Sequence, residues 1–140
     1  MNAPATFALP CRVAKLDDER QIAYAVVLEP CGPDSPDAQG DWYTPVDIAL
    51  GAWGFLVALA KGVGGADLMH NGGDYIGWVV ESYLAPVDFV WGAGADVEIV
   101  KAGSWVMGIH YPDPAIWQQV RAGELGGLSI EGAALRHHTT

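Results

Sequence analysis

The sequence predicts an α+β domain in which an antiparallel, barrel-like sheet is flanked by two helices. Three observations lead there. The chain has 140 residues of which 51% are apolar, and a chain of this size buries about 68–70% of its unfolded surface, so residues 1–140 read as one domain with ample core material. Its 18 glycines and 9 prolines are spread along the whole length, which breaks it into many short elements and argues against a helical bundle. β-Favouring runs also outnumber helix starts, six or seven to two.

Taken in order, Val13 to Leu16 and Gln21 to Leu28 flank the polar turn Asp17-Asp18-Glu19-Arg20, which predicts an opening hairpin. Ile22 to Leu28 is nearly all apolar, as a strand covered on both faces would be. Glu29 to Gly40 reads as a loop. Thr44-Pro45-Val46-Asp47 starts a helix: a threonine cap, proline in the first turn, and an acid facing the positive end of the helix dipole. Val46, Ala49, Leu50, Trp53 and Val57 follow at helical spacing, and Lys61-Gly62 ends the element. Gly51 and Gly54 weaken that helix by propensity but permit close packing.

Asp67 to His70 is a short segment closed by the turn Asn71-Gly72-Gly73. Tyr75 to Phe89 reads as a strand interrupted near Pro86, and Gly92-Ala93-Gly94 turns the chain into another strand around Val97 to Val100. Ser104 to His110 is strand-like, Pro112-Asp113-Pro114 starts a helix over Ala115 to Arg121, and Gly123 ends it. Leu128-Ser129-Ile130 forms the last strand.

Charge excludes one class of partner. Seventeen acidic against seven basic residues give a net charge of −10, and seven scattered cations do not make the basic face that phosphate contacts require, so no nucleic-acid partner is expected. The longest uncharged apolar run, Ile48 to Ala60, has 13 residues, short of the roughly 18 needed to span a bilayer; no membrane association is expected. The N-terminus lacks a cationic region ahead of an apolar stretch, which predicts a cytoplasmic protein. Cys11 and Cys31 then read as ordinary buried thiols.

Zinc needs three or four ligands at one point, and no CxxC, HExxH or HxH spacing occurs, so neither metal nor cofactor is expected. Gly62-Val63-Gly64-Gly65 lacks the Lys-Ser/Thr of a phosphate loop and reads as a plain loop. Nucleophilic catalysis has better material. Ser129 lies in Gly126-Gly127-Leu128-Ser129-Ile130-Glu131-Gly132, where flanking glycines leave backbone amides open to a substrate. The same heptad fits an ordinary glycine-rich strand. Of the imidazoles that could take the serine proton, His137 and His138 sit near the terminus, His110 suits a strand end, and His70 ends an apolar segment ahead of a turn. Residue chemistry alone reaches only a candidate pair, Ser129 and His70.

Beyond that pair, the chain resembles the prohead serine proteases of tailed phages, specifically the XkdF-like branch. The resemblance runs from about Ala14 to Gly132 and rests on motifs in order: Gln21 to Pro30, Asp37-Ala38-Gln39-Gly40-Asp41, Asp67-Leu68-Met69-His70-Asn71, Val79 to Phe89, Gly103 to His110, and Gly123 to Ile130. It implies a fold similar to the herpesvirus assembly proteases and an endopeptidase that cuts scaffold or capsid-protein extensions in the procapsid, within the host cytoplasm. It further implies Ser129 as nucleophile, His70 as general base, phage capsid and scaffold proteins as partners, and allows a homodimer.

The family's acid-bearing C-terminal strand is expected to be missing here, since the chain stops at Thr140. Glu81 is the substitute candidate for the acid, because it follows His70 on the next strand; a solvent-facing strand carboxylate is the competing reading. Asp74, Glu131 and His110 are weaker candidates, and Asp37, Gly40 and Asp41 read as a turn. The alternative function is a catalytically inactive assembly protein of the particle, with this fold, that binds capsid, portal or scaffold; six tryptophans could serve an interface.

Overall fold

The computed structural model describes residues 4–36, 40–62, 65–68, 75–92, 97–123 and 128–135, with segments 4–12, 65–68, 75 and 128–135 described by backbone course alone. The fold is α+β, with a mostly antiparallel sheet and two helices. In chain order the elements are β1 (Pro4–Asp17), β2 (Ile22–Leu28), α1 (Pro45–Ala60), β3 (Gly65–Leu68), β4 (Tyr75–Leu84), β5 (Phe89–Trp91), β6 (Glu98–Val100), β7 (Trp105–His110), α2 (Pro114–Ala122) and β8 (Leu128–Leu135). Six strands hydrogen-bond in the order β1-β2-β7-β4-β3-β8, and β8 pairs in turn with β1. Each of those six therefore has a partner on both sides. β5 and β6 form a separate two-stranded hairpin.

The expected helix boundaries match the capping chemistry. Thr44 caps α1: its hydroxyl accepts from the Asp47 amide at 3.2 Å, and the Asp47 carboxylate accepts from the Thr44 amide at 3.3 Å. Asp113 caps α2 through the Ala115 amide at 2.8 Å, and Gly123 closes it at φ 69°, a conformation that costs glycine nothing. α2 is further tied to the β1–β2 turn by Asp18, whose Oδ1 accepts from Trp117 Nε1 at 3.2 Å and pairs with Arg121 Nε at 2.9 Å.

β1 is longer than the hairpin alone predicts. Its second half pairs with β2 as expected, while Pro4 to Cys11 pairs with Leu135 to Leu128 of β8. That partner lies more than a hundred residues away, so no local pattern announces it. Around Pro86 the expected break is real: β4 stops at Leu84 and β5 begins at Phe89, and the intervening turn is held by Ala85 N donating to Ser104 O and Gly103 N donating to Ala85 O, both at 2.8 Å. Asp88 Oδ1 accepts from Ala102 N at 2.7 Å across the same corner. Among the described residues no helix is long and apolar enough to cross a membrane.

Two apolar layers lie on either side of the central strand β7. One holds Ala23, Ala25, Val27, Trp105, Met107, Ile109 and Tyr111 beneath Ile48, Ala52 and Phe55 of α1 and Trp117 and Val120 of α2. Phe55 meets Trp105 edge-on at 5.5 Å, and Trp105 Nε1 donates to Ser82 Oγ at 3.0 Å, which satisfies the indole buried there. The other layer gathers Val26, Ala85, Val100 and Val106 under Phe89 and Trp91 of the β5–β6 hairpin.

Gly77 marks where the first layer is tightest. A Cβ there would sit 2.8 Å from Ile109 Cγ2 and 2.9 Å from Tyr111 Cε1, and neither buried neighbour has room to retreat. Gly77→Ala should therefore lower stability by about 1–3 kcal/mol, read as a lower denaturant midpoint with an unchanged slope; a midpoint equal to wild type would contradict this packing.

Candidate active site

Ser129 lies on β8, between two neighbours. Its register partners are Pro10 on β1 and Asp67 on β3. Directly opposed residues of an antiparallel pair share a face, about 4.5–5.5 Å apart at Cβ, so Asp67 and Ser129 occupy neighbouring positions on one face of the sheet. Asp67 opens the motif Asp67-Leu68-Met69-His70-Asn71. β3 ends at Leu68, opposite Leu128. His70, two residues further along the chain, lies outside the described residues, as do Asp74, His137 and His138.

Glu81 lies elsewhere in the fold. β4 runs antiparallel to β3, with Tyr75 opposite Asp67 and Gly77 opposite Ala66, and Glu81 comes six residues after Tyr75, about 20 Å along an extended strand. There it faces β7, opposite Gly108. On the far side of Gly108 stands Tyr24 of β2, so Glu81, Gly108 and Tyr24 form one row across three strands. The row depends on a bulge. Val79 opposes Ile109 and Glu81 opposes Gly108, leaving Val80 as an extra residue on β4. Without it, Glu81 would point to the other face.

The glycine in the middle lets the outer two residues meet. A Cβ at Gly108 would lie 3.0 Å from Tyr24 Cε1 and 3.3 Å from Glu81 Cβ, so the Tyr24 ring crosses bare backbone to reach the carboxylate. The Tyr24 hydroxyl donates to Glu81, and that hydrogen bond, followed by burial and the Glu81 charge, pushes its pKa up to about 12. Trp91 packs on the same ring at 5.9 Å, and Lys15 Nζ stands 5.8 Å from its centroid. Tyr83 is raised too, first by burial and then by the Glu81 charge.

Of the remaining candidates, Glu131 stays on the Ser129 strand, two residues on and so on the same face, while His110 lies on β7. His110 ends β7, and its Nδ1 lies 3.0 Å from Arg20 O and 3.3 Å from Gln21 O, which fits a ring N–H donated to the β1–β2 turn. Gln21 holds φ 54° in that turn, fixed by its carbonyl accepting from Tyr111 N at 2.9 Å and its side chain donating to Tyr111 O at 2.6 Å. Glu131 on β8 opposes Ala8 and Gly65. Gly40 takes φ 82°, as a turn there requires. Cys31 is a half-buried free thiol. Among the described residues no group of three His, Cys, Asp or Glu is gathered closely enough to hold a metal ion.

Sequence reasoning passed over two residues. Asp67 sits in the same motif as His70, a signal that could have found it. Tyr24 carried none, because its partner is set by a bulge 56 residues away.

Tyr24 makes the row measurable. Tyrosine is neutral when protonated, so a folded pKa raised above its ordinary value of 10.0 adds stability that is present below pH about 10 and is lost as pH rises towards about 12. Site-resolved phenolate titration should find Tyr24 ionising near the upper value, and Glu81→Gln should bring it back down. An unchanged titration in that variant would rule out the contact.

Comparison with known proteins places the chain. A family described as "Putative phage serine protease XkdF" matches residues 11–138. The uncharacterised protein YqbD of Bacillus subtilis is 38% identical over 122 residues, covering 87% of this chain and 34% of that protein. The phage-like element PBSX protein XkdF of the same organism is 39% identical over 117 residues, covering 84% of this chain and 38% of that protein. The chain thus spans little more than a third of the curated relatives it matches. No solved structure matches it significantly. Because the family match runs through both the Asp67 to Asn71 motif and the Ser129 strand, this chain belongs to that XkdF family.

Proposed function

We propose that this chain is a serine endopeptidase domain of phage head maturation, cutting scaffold or capsid-protein extensions inside the immature particle in the host cytoplasm. Ser129 is the nucleophile and His70 its general base. The observation that carries this reading is the pairing of Asp67 with Ser129, which sets the strand leading into the His70 motif beside the strand that bears the serine. Family membership across the same two motifs supports it. The pairing of β8 with both β3 and β1 supports a barrel of the herpesvirus assembly-protease kind.

The chemistry follows from these roles. His70 takes the Ser129 hydroxyl proton as the oxygen attacks the scissile carbonyl, and returns it to the departing amine. Water then attacks the acyl-enzyme, losing its proton to the same imidazole, and the serine is regenerated. Gly126, Gly127 and Gly132 around the nucleophile suit close approach of a peptide backbone.

A third group must orient the imidazole, and Glu81, Asp74, Glu131 and, by register, Asp67 are the acids that compete for that role. Glu81 follows His70 on the next strand and accepts a hydrogen bond from Tyr24. Asp67 is in register with the serine. A second reading, an assembly protein with the fold but no cleavage, gains from that engagement of Glu81.

Mixing the protein with its own capsid or scaffold protein should release defined fragments. Ser129→Ala should reduce cleavage by roughly a thousandfold or more, and cleavage surviving that change would sink the protease reading. Comparing Asp67→Asn with Glu81→Gln separates the two acids: the orienting one should lose about two to four orders of magnitude in kcat, and the other should keep near wild-type turnover.

A further inference from the structure

Trp78 of β4 keeps 64% of its surface in solvent, and register shows what lies beside it. Gly77 opposes Ala66 of β3, so one antiparallel step further Trp78 comes level with Gly65. Gly65 in turn opposes Glu131 of β8. Residues level with one another on neighbouring strands share a face, so Trp78, Gly65 and Glu131 form one row. It runs beside the row of Tyr75, Asp67 and Ser129, two residues away along β3 and β8. Gly77 faces the core, since a Cβ there would meet Ile109 and Tyr111. Its neighbour Trp78 is therefore on the outer face, as its exposure shows, and alternation puts Glu131 and Ser129 on that face as well.

The middle of the row is a glycine, which adds no side chain between its neighbours. Strands lie about 4.8 Å apart, so the positions of Trp78 and Glu131 are separated by about 10 Å with bare backbone between them. One flank carries an indole and the other a carboxylate. That combination suits a cation, because the face of an indole attracts an ammonium or guanidinium group and a carboxylate pairs with it.

Charge around the row has one sign. β3, β4, β8 and residues Pro4 to Cys11 of β1 contain Asp67, Glu81 and Glu131 and no lysine or arginine. Arg12 lies past the β8 pairing, opposite Val26 of β2. Lys15 stands over the Tyr24 ring. On the other side of Trp78 comes His110, whose Nδ1 is engaged with the Arg20 and Gln21 carbonyls.

We propose that the row of Trp78, Gly65 and Glu131 is a substrate subsite that takes a lysine or arginine side chain near the scissile bond. This rests on the protease reading of Ser129. Two residues of strand separate Glu131 from Ser129, about 7 Å, and an extended peptide advances about 3.3–3.6 Å per residue. The basic residue therefore sits within about two positions of the bond to be cut. Trp78 and Glu131 determine specificity, and the bond-breaking chemistry stays with Ser129 and His70.

Two fluorescently labelled pools of randomised six-residue peptides, with one central position fixed as arginine or as glutamine, test this on the Ser129→Ala chain, which leaves them uncut. At about 0.15 M salt, where charges more than about 8 Å apart are largely screened, the arginine pool should bind at least about tenfold tighter, the scale of a cation–π contact joined to an ion pair. Trp78→Ala and Glu131→Gln should each shrink that preference to about threefold or less. Glu19→Gln removes the same charge from the exposed β1–β2 turn and should leave the preference intact. Trp78→Ala should also leave the thermal midpoint nearly unchanged, as an exposed side chain allows. Equal binding of the two pools overturns the proposal. An arginine preference that survives both Trp78→Ala and Glu131→Gln, or that Glu19→Gln abolishes equally, overturns it too, since net charge alone then explains it. The protease reading fails separately: with Ser129 intact, an arginine preference without cleavage sinks the enzyme and keeps the site, whereas cleavage without that preference keeps the enzyme and sinks the site.

Discussion

Strand β7 is the constraint on which the rest of the fold depends. It lies between β2 and β4, and every residue from Trp105 to Ile109 is buried. A strand covered on both faces must supply apolar side chains to two cores at once. Trp105, Met107 and Ile109 feed the layer under the helices, and Val106 feeds the layer under the β5–β6 hairpin. Among the described residues the helices and the hairpin pack on different layers, and each is placed by the side of β7 it covers.

Gly108 is the exception within β7, and its smallness has a consequence on the outer face. A side chain there would fill the space in which Tyr24 and Glu81 meet. Because the contact raises the Tyr24 pKa through a hydrogen bond to a carboxylate, it works as a clamp across three strands for as long as the phenol stays protonated. The bulge at Val80 supplies the other half of this arrangement by bringing Glu81 onto the same face. A carboxylate that looks free in sequence thus has a structural task. Among the described residues, Asp67 is the acid directly opposite the serine, whereas Glu81 lies some way along β4 from that pairing.

α1 shows a different kind of compromise. Its capping box and its proline at the first turn favour the helix locally, whereas Gly51 and Gly54 work against it. Sequences tolerate such internal conflict where a contact repays it, and among the described residues a Cβ at either glycine would meet nothing within 4 Å. The helix also packs against β8, the strand that carries Ser129.

Much was legible from local chemistry. Caps, glycine turns, the break at Pro86 and the apolar runs of β2 and β7 depend on residues within a few positions of one another, so α1, α2 and most strand limits could be placed before any partner was known. The motif order was legible too, because it is a property of the chain itself, and it pointed to the family. Pairing was not. The union of Pro4 to Cys11 with β8, the position of Ser129 between Pro10 and Asp67, and the row from Tyr24 to Glu81 each join residues 50 or more positions apart. Alternating side chains specify that a segment is a strand and which face is apolar, but backbone N–H and C=O groups are alike at every residue. Which strand lies beside which, and in what register, is settled only when both apolar faces of β7 are covered at once.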